Sequence, residues 1–132
     1  MSNAKSISNL TRALQDYLKA IYIIQTIEGQ KVVRVRDIAN LLSVKMSSVT
    51  DALKKLHNIG LIEYSKRNYV DLTDEGRRIA SQLYNRWRII YEFLKNILML
   101  DDATAKRDAC KLEHVLSEKT YNAIKAYLTR NT

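Results

Sequence analysis

Between Asp37 and Tyr64 the chain reads Asp37-Ile-Ala-Asn-Leu-Leu-Ser-Val-Lys-Met-Ser-Ser-Val-Thr-Asp-Ala-Leu-Lys-Lys-Leu-His-Asn-Ile-Gly-Leu-Ile-Glu-Tyr64. This predicts a short helix, a tight polar turn, a longer basic helix and a strand. Ile38, Ala39, Leu41 and Leu42 form an apolar face on the first helix. Val49, Ala52, Leu53, Leu56 and Ile59 recur at the i, i+3, i+4, i+7 spacing of an amphipathic second helix, about Ser47–Ile59. Gly60 is placed to end that helix in a left-handed conformation. Its outward face carries Ser47, Ser48, Thr50, Asp51, Lys54 and Lys55. Small donors near the start suit base edges, and the cations beyond them suit phosphates. The layout is that of a helix-turn-helix with a recognition helix.

Two short β-prone runs follow, Leu61-Ile-Glu-Tyr64 and Tyr69-Val-Asp-Leu72, joined by Ser65, Lys66, Arg67 and Asn68. A hairpin tipped by Lys66 and Arg67, directly after a recognition helix, matches a DNA-binding wing. The bland alternative is an ordinary hairpin with a solvated tip. Upstream, a helix of about Ile7 to Ile27 places Leu10, Leu14, Tyr17, Leu18, Ile21 and Ile24 on one side, and Gly29 marks the break after it. Downstream, Thr73 is positioned to cap a long helix of about Asp74 to Met99, with Asp74 and Glu75 at its positive end and Gly76 in its first turn. Two shorter helices are expected at about Ala103–Leu116 and Glu118–Thr129, the second capped by Ser117. The expected fold is mainly α: a winged helix-turn-helix DNA-binding domain at residues 1–73, then an α-helical dimerisation domain at residues 74–132.

Bulk properties agree. The 132 residues carry 22 Lys+Arg against 14 Asp+Glu, a formal charge of +8, which favours polyanionic partners through counterion release. Hydrophobic residues make up 46% of the chain, enough for a modest core. One cysteine, no signal-like segment and no membrane-length apolar run predict a reducing, cytoplasmic setting and no membrane partner. Met1-Ser-Asn-Ala-Lys-Ser6 is polar and reads as a frayed end or a cloning remnant. The stripe Trp87, Ile90, Phe93, Leu94, Ile97, Leu98, Leu100 is either internal core or, in part, a twofold interface. A homodimer is expected, because one winged helix reads few base pairs and two reach half-sites about 34 Å apart.

Cys110, Glu113 and His114 fall at i, i+3, i+4. On a helix they share a face, and a thiolate, a carboxylate and an imidazole together suit a divalent transition metal. The alternative at this stage is a buried lone cysteine beside a solvated Glu-His pair. An enzyme built on the same three residues ranks last, since the sequence offers no oxyanion hole or substrate cleft. His57, near the end of the recognition helix, is expected to touch phosphate or solvent.

The chain resembles the diphtheria-toxin-repressor family of metal-dependent repressors, which includes the manganese transport regulators. The likeness runs through Asp16-Tyr-Leu-Lys-Ala-Ile-Tyr22, Val35-Arg-Asp-Ile-Ala39, Ser48-Val-Thr50, Lys54-Lys-Leu56, Gly60-Leu-Ile62, Leu72-Thr73 with Gly76, Phe93-Leu94 and Ala109-Cys-Lys-Leu-Glu-His-Val-Leu-Ser117. The length resembles that of short, manganese-type members without an SH3-like domain. The resemblance implies a repressor of ion-homeostasis genes that binds a double-stranded operator, with Arg36 joining the DNA-contacting residues. It also implies metal ligands at Asp16, Cys110, Glu113 and His114. Fe(II) or Mn(II) is favoured, Zn(II) or Co(II) also fits a mixed donor set, and a metal-free regulator of the same family is the alternative. Trp87, Tyr91, Lys106 and Lys19 stand where the family has further ligands. Neither indole nor ammonium ligates a cation, so a second metal is not expected. Lys19 and Lys106 are expected instead to supply positive charge, pairing with Glu113 or Asp16.

Overall fold

The computed structural model describes residues 10–65, 67 and 69–130, so the expectations for Met1–Ser6 and for Lys66 lie outside the described residues. The chain divides into two compact units, Met1–Gln82 and Leu83–Thr132.

In the first unit, Thr11 caps helix α1 (Arg12–Tyr22), its Oγ1 accepting the Leu14 N–H at 3.1 Å. A wider π turn, Ile23–Ile27, extends the helix. Leu18 and Ile21 are fully buried, and α1 packs on α2 (Val35–Leu42), α3 (Met46–Asn58) and the central strand of the sheet. Helix α2 begins two residues before Asp37, because the Asp37 carboxylate accepts the Arg34 N–H at 2.9 Å. Ser43, in a left-handed conformation (φ 56°), makes the turn into α3. Val49, Leu53 and Leu56 are fully buried and Ala52 nearly so. Each large side chain so buried contributes about 1.5–3 kcal/mol.

Two expected core positions are exposed instead. Leu41 is 41% exposed because it lies about 110° around α2 from the face made by Val35, Ile38, Ala39 and Leu42, at 100° per residue. Ile59 is 39% exposed because it is the C-cap residue of α3, already off the helical path. Gly60 then adopts φ 82°, and the Leu61 N–H returns to the Leu56 carbonyl at 3.0 Å.

The sheet has three antiparallel strands in the order β1 (Val33–Arg34), β3 (Tyr69–Leu72), β2 (Ile62–Tyr64). The β2–β3 hairpin is the expected wing, in register Ile62↔Leu72 and Tyr64↔Val70. Strand β1 was not expected; two residues carry no visible alternation, and their partners, Val70 and Tyr69, are distant in sequence. Helix α4 (Asp74–Glu92) starts against this layer. Thr73 Oγ1 accepts the Gly76 N–H and donates to the Gly60 carbonyl. A Cβ on Gly76 would sit 1.9 Å from the Leu61 carbonyl oxygen, so only glycine permits this approach.

The unit boundary falls inside α4. In the second unit, α4 ends in a π turn, Phe93–Ile97, followed by α5 (Asp102–Val115) and α6 (Glu118–Arg130). Asp101 and Ser117 cap these two helices, accepting the N–H groups of Thr104 and Thr120. Ile90, Leu94, Ala105 and Ala109 form the core, with Trp87, Phe93 and Leu100 packed around it. Most of the apolar stripe is therefore internal, whereas Leu98 and the neighbouring Met99 are 52% and 78% exposed.

Candidate nucleic-acid interface and metal-ligand cluster

Opposite its buried stripe, α3 exposes Ser47, Ser48, Asp51, Lys54 and Lys55. This is the polar face expected for groove contacts. Thr50 is half-buried, and its hydroxyl donates to the Met46 carbonyl at 3.1 Å, so it offers an acceptor and a methyl rather than a free proton. Arg36, in the first turn of α2, and Arg67, at the wing tip, are exposed on the same unit. His57 is exposed to solvent, as expected, and in addition its Nδ1 lies 3.2 Å from the Ile62 carbonyl. A carbonyl only accepts, so Nδ1 carries the proton and the ring ties the end of α3 to β2.

Of the expected metal ligands, Asp16 lies in α1 of the first unit and is half-buried. Cys110, Glu113 and His114 lie on α5 of the second. The Glu113 and His114 side chains are only 1% and 3% exposed, with Oε2 and Nε2 3.7 Å apart. Cys110 is exposed. The alternative drawn from sequence is thus reversed: the cysteine faces solvent, and the carboxylate and imidazole are buried side by side. Such a pair, desolvated at this separation, suits one shared cation, oxygen donor plus nitrogen donor.

Sequence reasoning missed Arg86, which supports this segment from α4. Its Nε donates to the Glu113 carbonyl at 2.8 Å, Nη2 to the Leu116 carbonyl at 2.7 Å and Nη1 to Glu118 Oε2 at 2.9 Å. Its guanidinium also lies 4.6 Å from the Tyr121 ring centre. One planar cation thereby satisfies the C-terminal carbonyls of α5 and holds the start of α6. The available signal was an arginine between Leu83, Trp87 and Ile90 in an otherwise apolar stripe.

The positions read as departures from family ligands have structural employment. Trp87 stacks on Tyr91, ring centres 5.0 Å apart and planes 5° from parallel. The Tyr91 hydroxyl donates to Asp102 Oδ1, which also accepts from Lys95 Nζ at 3.1 Å. Lys106 Nζ lies 3.3 Å from Asp102 Oδ2. Lys106 therefore pairs with Asp102 rather than with Glu113 or Asp16, because i−4 on its own helix is within closer reach. The Tyr91 hydrogen bond, reinforced by Lys95 and Lys106, lowers the Asp102 pKa to about 2. Lys19 is buried within α1.

Residues 9–70 match the family described as iron dependent repressor, N-terminal DNA binding domain. Residues 73–132 match iron dependent repressor, metal binding and dimerisation domain. An uncharacterized HTH-type transcriptional regulator of Methanocaldococcus jannaschii is 33% identical over 92% of this chain and 96% of its own length. The HTH-type transcriptional regulator MntR of Geobacillus kaustophilus is 37% identical over 86% of this chain and 77% of its own. Among solved structures, a manganese-dependent transcriptional repressor in complex with manganese superposes with a TM-score of 0.79 at 33% identity, covering 88% of this chain. The chain spans about half the length of that structure (52%).

Proposed function

Because the chain belongs to the iron-dependent repressor family, matched through both of its domains, we propose that it is a metal-dependent transcriptional repressor of metal-ion homeostasis genes, acting on double-stranded operator DNA as a cytoplasmic homodimer. The observation that carries this reading is the polar, solvent-facing side of α3 beside a basic wing, on a chain whose second half matches a metal-binding and dimerisation domain. We assign DNA reading to residues 1–73, and metal binding and dimerisation to residues 74–132. Ser47, Ser48, Thr50 and Asp51 address base edges, while Arg36, Lys54, Lys55, Lys66 and Arg67 address phosphates. Leu98, Met99 and Val115, all exposed, support an apolar contact between copies.

The proposed ligand set is Asp16, Glu113 and His114, with Cys110 as a fourth donor. The burial of Glu113 and His114 fits a divalent cation, whose charge, when bound, compensates the buried carboxylate. Oxygen and nitrogen donors favour Mn(II) or Fe(II); a Cys110 thiolate shifts the preference toward Fe(II), Zn(II) or Co(II). Solved relatives are described with manganese and with Zn2+. Glu113 and His114 present the donors, and Arg86 holds the backbone that carries them. Binding at these residues favours the DNA-competent arrangement only by its differential affinity, on the usual scale of about 1–3 kcal/mol. The matched relatives are regulators, and no catalytic role is proposed for Cys110, Glu113 or His114.

The test is binding to duplex DNA from upstream of candidate ion-transport genes, with Mn(II), Fe(II), Zn(II) or a chelator. An affinity gain of about tenfold or more with metal is expected, within the ordinary allosteric range. Equal affinity in chelator overturns the metal dependence. Failure to bind any duplex at low ionic strength overturns the reading altogether.

A further inference from the structure

Arg34 on β1 and Tyr69 on β3 are direct partners across the ladder. The Arg34 guanidinium lies 5.1 Å from the centre of the Tyr69 ring, and its Nη2 donates to the Tyr69 hydroxyl at 3.4 Å. An arginine held in this way has less rotamer freedom to lose when it binds something else. It borders an open depression of about 370 Å³ lined by Arg34, Val35, Arg36, Met46 and Arg67. Three guanidinium side chains therefore surround one hollow, with no carboxylate among its described lining residues. Asp37, close in sequence, has Oδ2 engaged by the Arg34 N–H and by the Gln30 amide.

The first turn of α3 adds to the same positive field. Met46 is its first residue, and the cap position is Lys45, whose side chain has no acceptor to offer the turn. The positive end of a helix dipole thus opens beside three cations, an arrangement that costs free energy until an anion joins it. A tetrahedral oxyanion with several acceptor oxygens matches planar guanidinium donors converging from different elements.

We propose that Arg34, Arg36 and Arg67 seat one backbone phosphate of duplex DNA, and that Tyr69 is the positioning residue that holds Arg34 in the seat. The inference rests on the DNA-binding reading above and adds to it a phosphate subsite and two residues, Arg34 and Tyr69. The seat lies between the start of α3 and the wing, so it sets the register in which the Ser47–Asp51 edge meets the bases without itself selecting sequence.

The test uses the full chain with excess Mn(II), a labelled generic duplex and anisotropy titrations between about 50 and 200 mM salt, where counterion release dominates. Arg34→Ala is expected to reduce the slope of log K against log salt by about one per chain. It is also expected to weaken binding about tenfold, the size of one charge-assisted hydrogen bond. Arg34→Gln keeps most of the stem and repeats the slope measurement should the alanine variant melt early. Arg34→Lys keeps the slope. Tyr69→Leu weakens binding while leaving the slope intact, Tyr69→Phe does so less, and neither has any effect in the Arg34→Ala background. An unchanged slope in Arg34→Ala and Arg34→Gln, or additive losses from Tyr69→Leu and Arg34→Ala, would overturn the proposal while leaving DNA binding standing. Inorganic phosphate that binds the chain in calorimetry, is lost in Arg34→Ala, and leaves duplex affinity unchanged at constant ionic strength would identify a seat for free phosphate and overturn the assignment to DNA. No duplex binding by the parent chain overturns the regulator reading, and this inference with it.

Discussion

The two units divide their polarity in opposite ways. The first buries Leu18, Ile21, Ile38, Leu53 and Leu56 completely and keeps the groups proposed to meet DNA on its surface. The second buries a carboxylate and an imidazole, anchors its backbone through a largely buried arginine, and leaves Leu98, Met99 and Val115 exposed. In the first, the working side chains are added to a finished core and can change without disturbing it. In the second, the groups that serve function also satisfy the fold, so activity and stability should move together.

The largest effect expected is structural. Gly76→Ala places a methyl on the Leu61 carbonyl oxygen and should destabilise the first unit by about 3 kcal/mol in urea unfolding. A negligible change would mean that the start of α4 yields easily. Arg86→Met keeps the bulk but leaves the Glu113 and Leu116 carbonyls without their charged donor. It should cost about 2 kcal/mol and weaken Mn(II) binding in the same variant, the coupling that marks the second unit. Lys54→Met is the contrasting probe: duplex affinity should fall, with stability held within about 0.5 kcal/mol. Loss of both in Lys54→Met, or of stability alone in Arg86→Met, would break the contrast.

Met99 sharpens it from another side. Both π turns are followed by a left-handed residue, Gly29 (φ 76°) after the first and Met99 (φ 61°) after the second. Methionine pays for that conformation, so Met99→Gly should stabilise the chain by about 0.5–1 kcal/mol while weakening its self-association in sedimentation. Equal self-association would remove Met99 from the contact between copies. The smallest effect concerns Asp102. Its folded pKa, about 2, lies below the ordinary Asp value of about 3.9. Its contribution is therefore present above the ordinary value and lost as pH falls through about 2. Tyr91→Phe removes the leading hydrogen bond and should move that loss to higher pH, as read by carboxyl NMR titration.

Much of the first unit was legible because its signals are local. The stripe from Val49 to Leu56, the cap at Thr73 and the stop at Gly60 each depend on residues within a turn or two, and all three appear as read. Leu41 and Ile59 misled because apolar character alone does not fix an angle on a short helix or beyond its last turn. In the second unit, the spacing of Cys110, Glu113 and His114 was visible but their burial was not, and Arg86 passed as an ordinary surface cation.

By itself the sequence determined the order and type of the helices, the wing, the family and the chemical character of the candidate ligands, because periodicity, capping and motif spacing are properties of neighbours along the chain. Only the tertiary structure decided that Glu113 and His114 are desolvated, that Lys106 turns to Asp102, that His57 is tied to β2, and that Arg34 meets Tyr69 beside two other arginines. Burial and long-range partners depend on which distant segments pack together, and no local pattern encodes that packing.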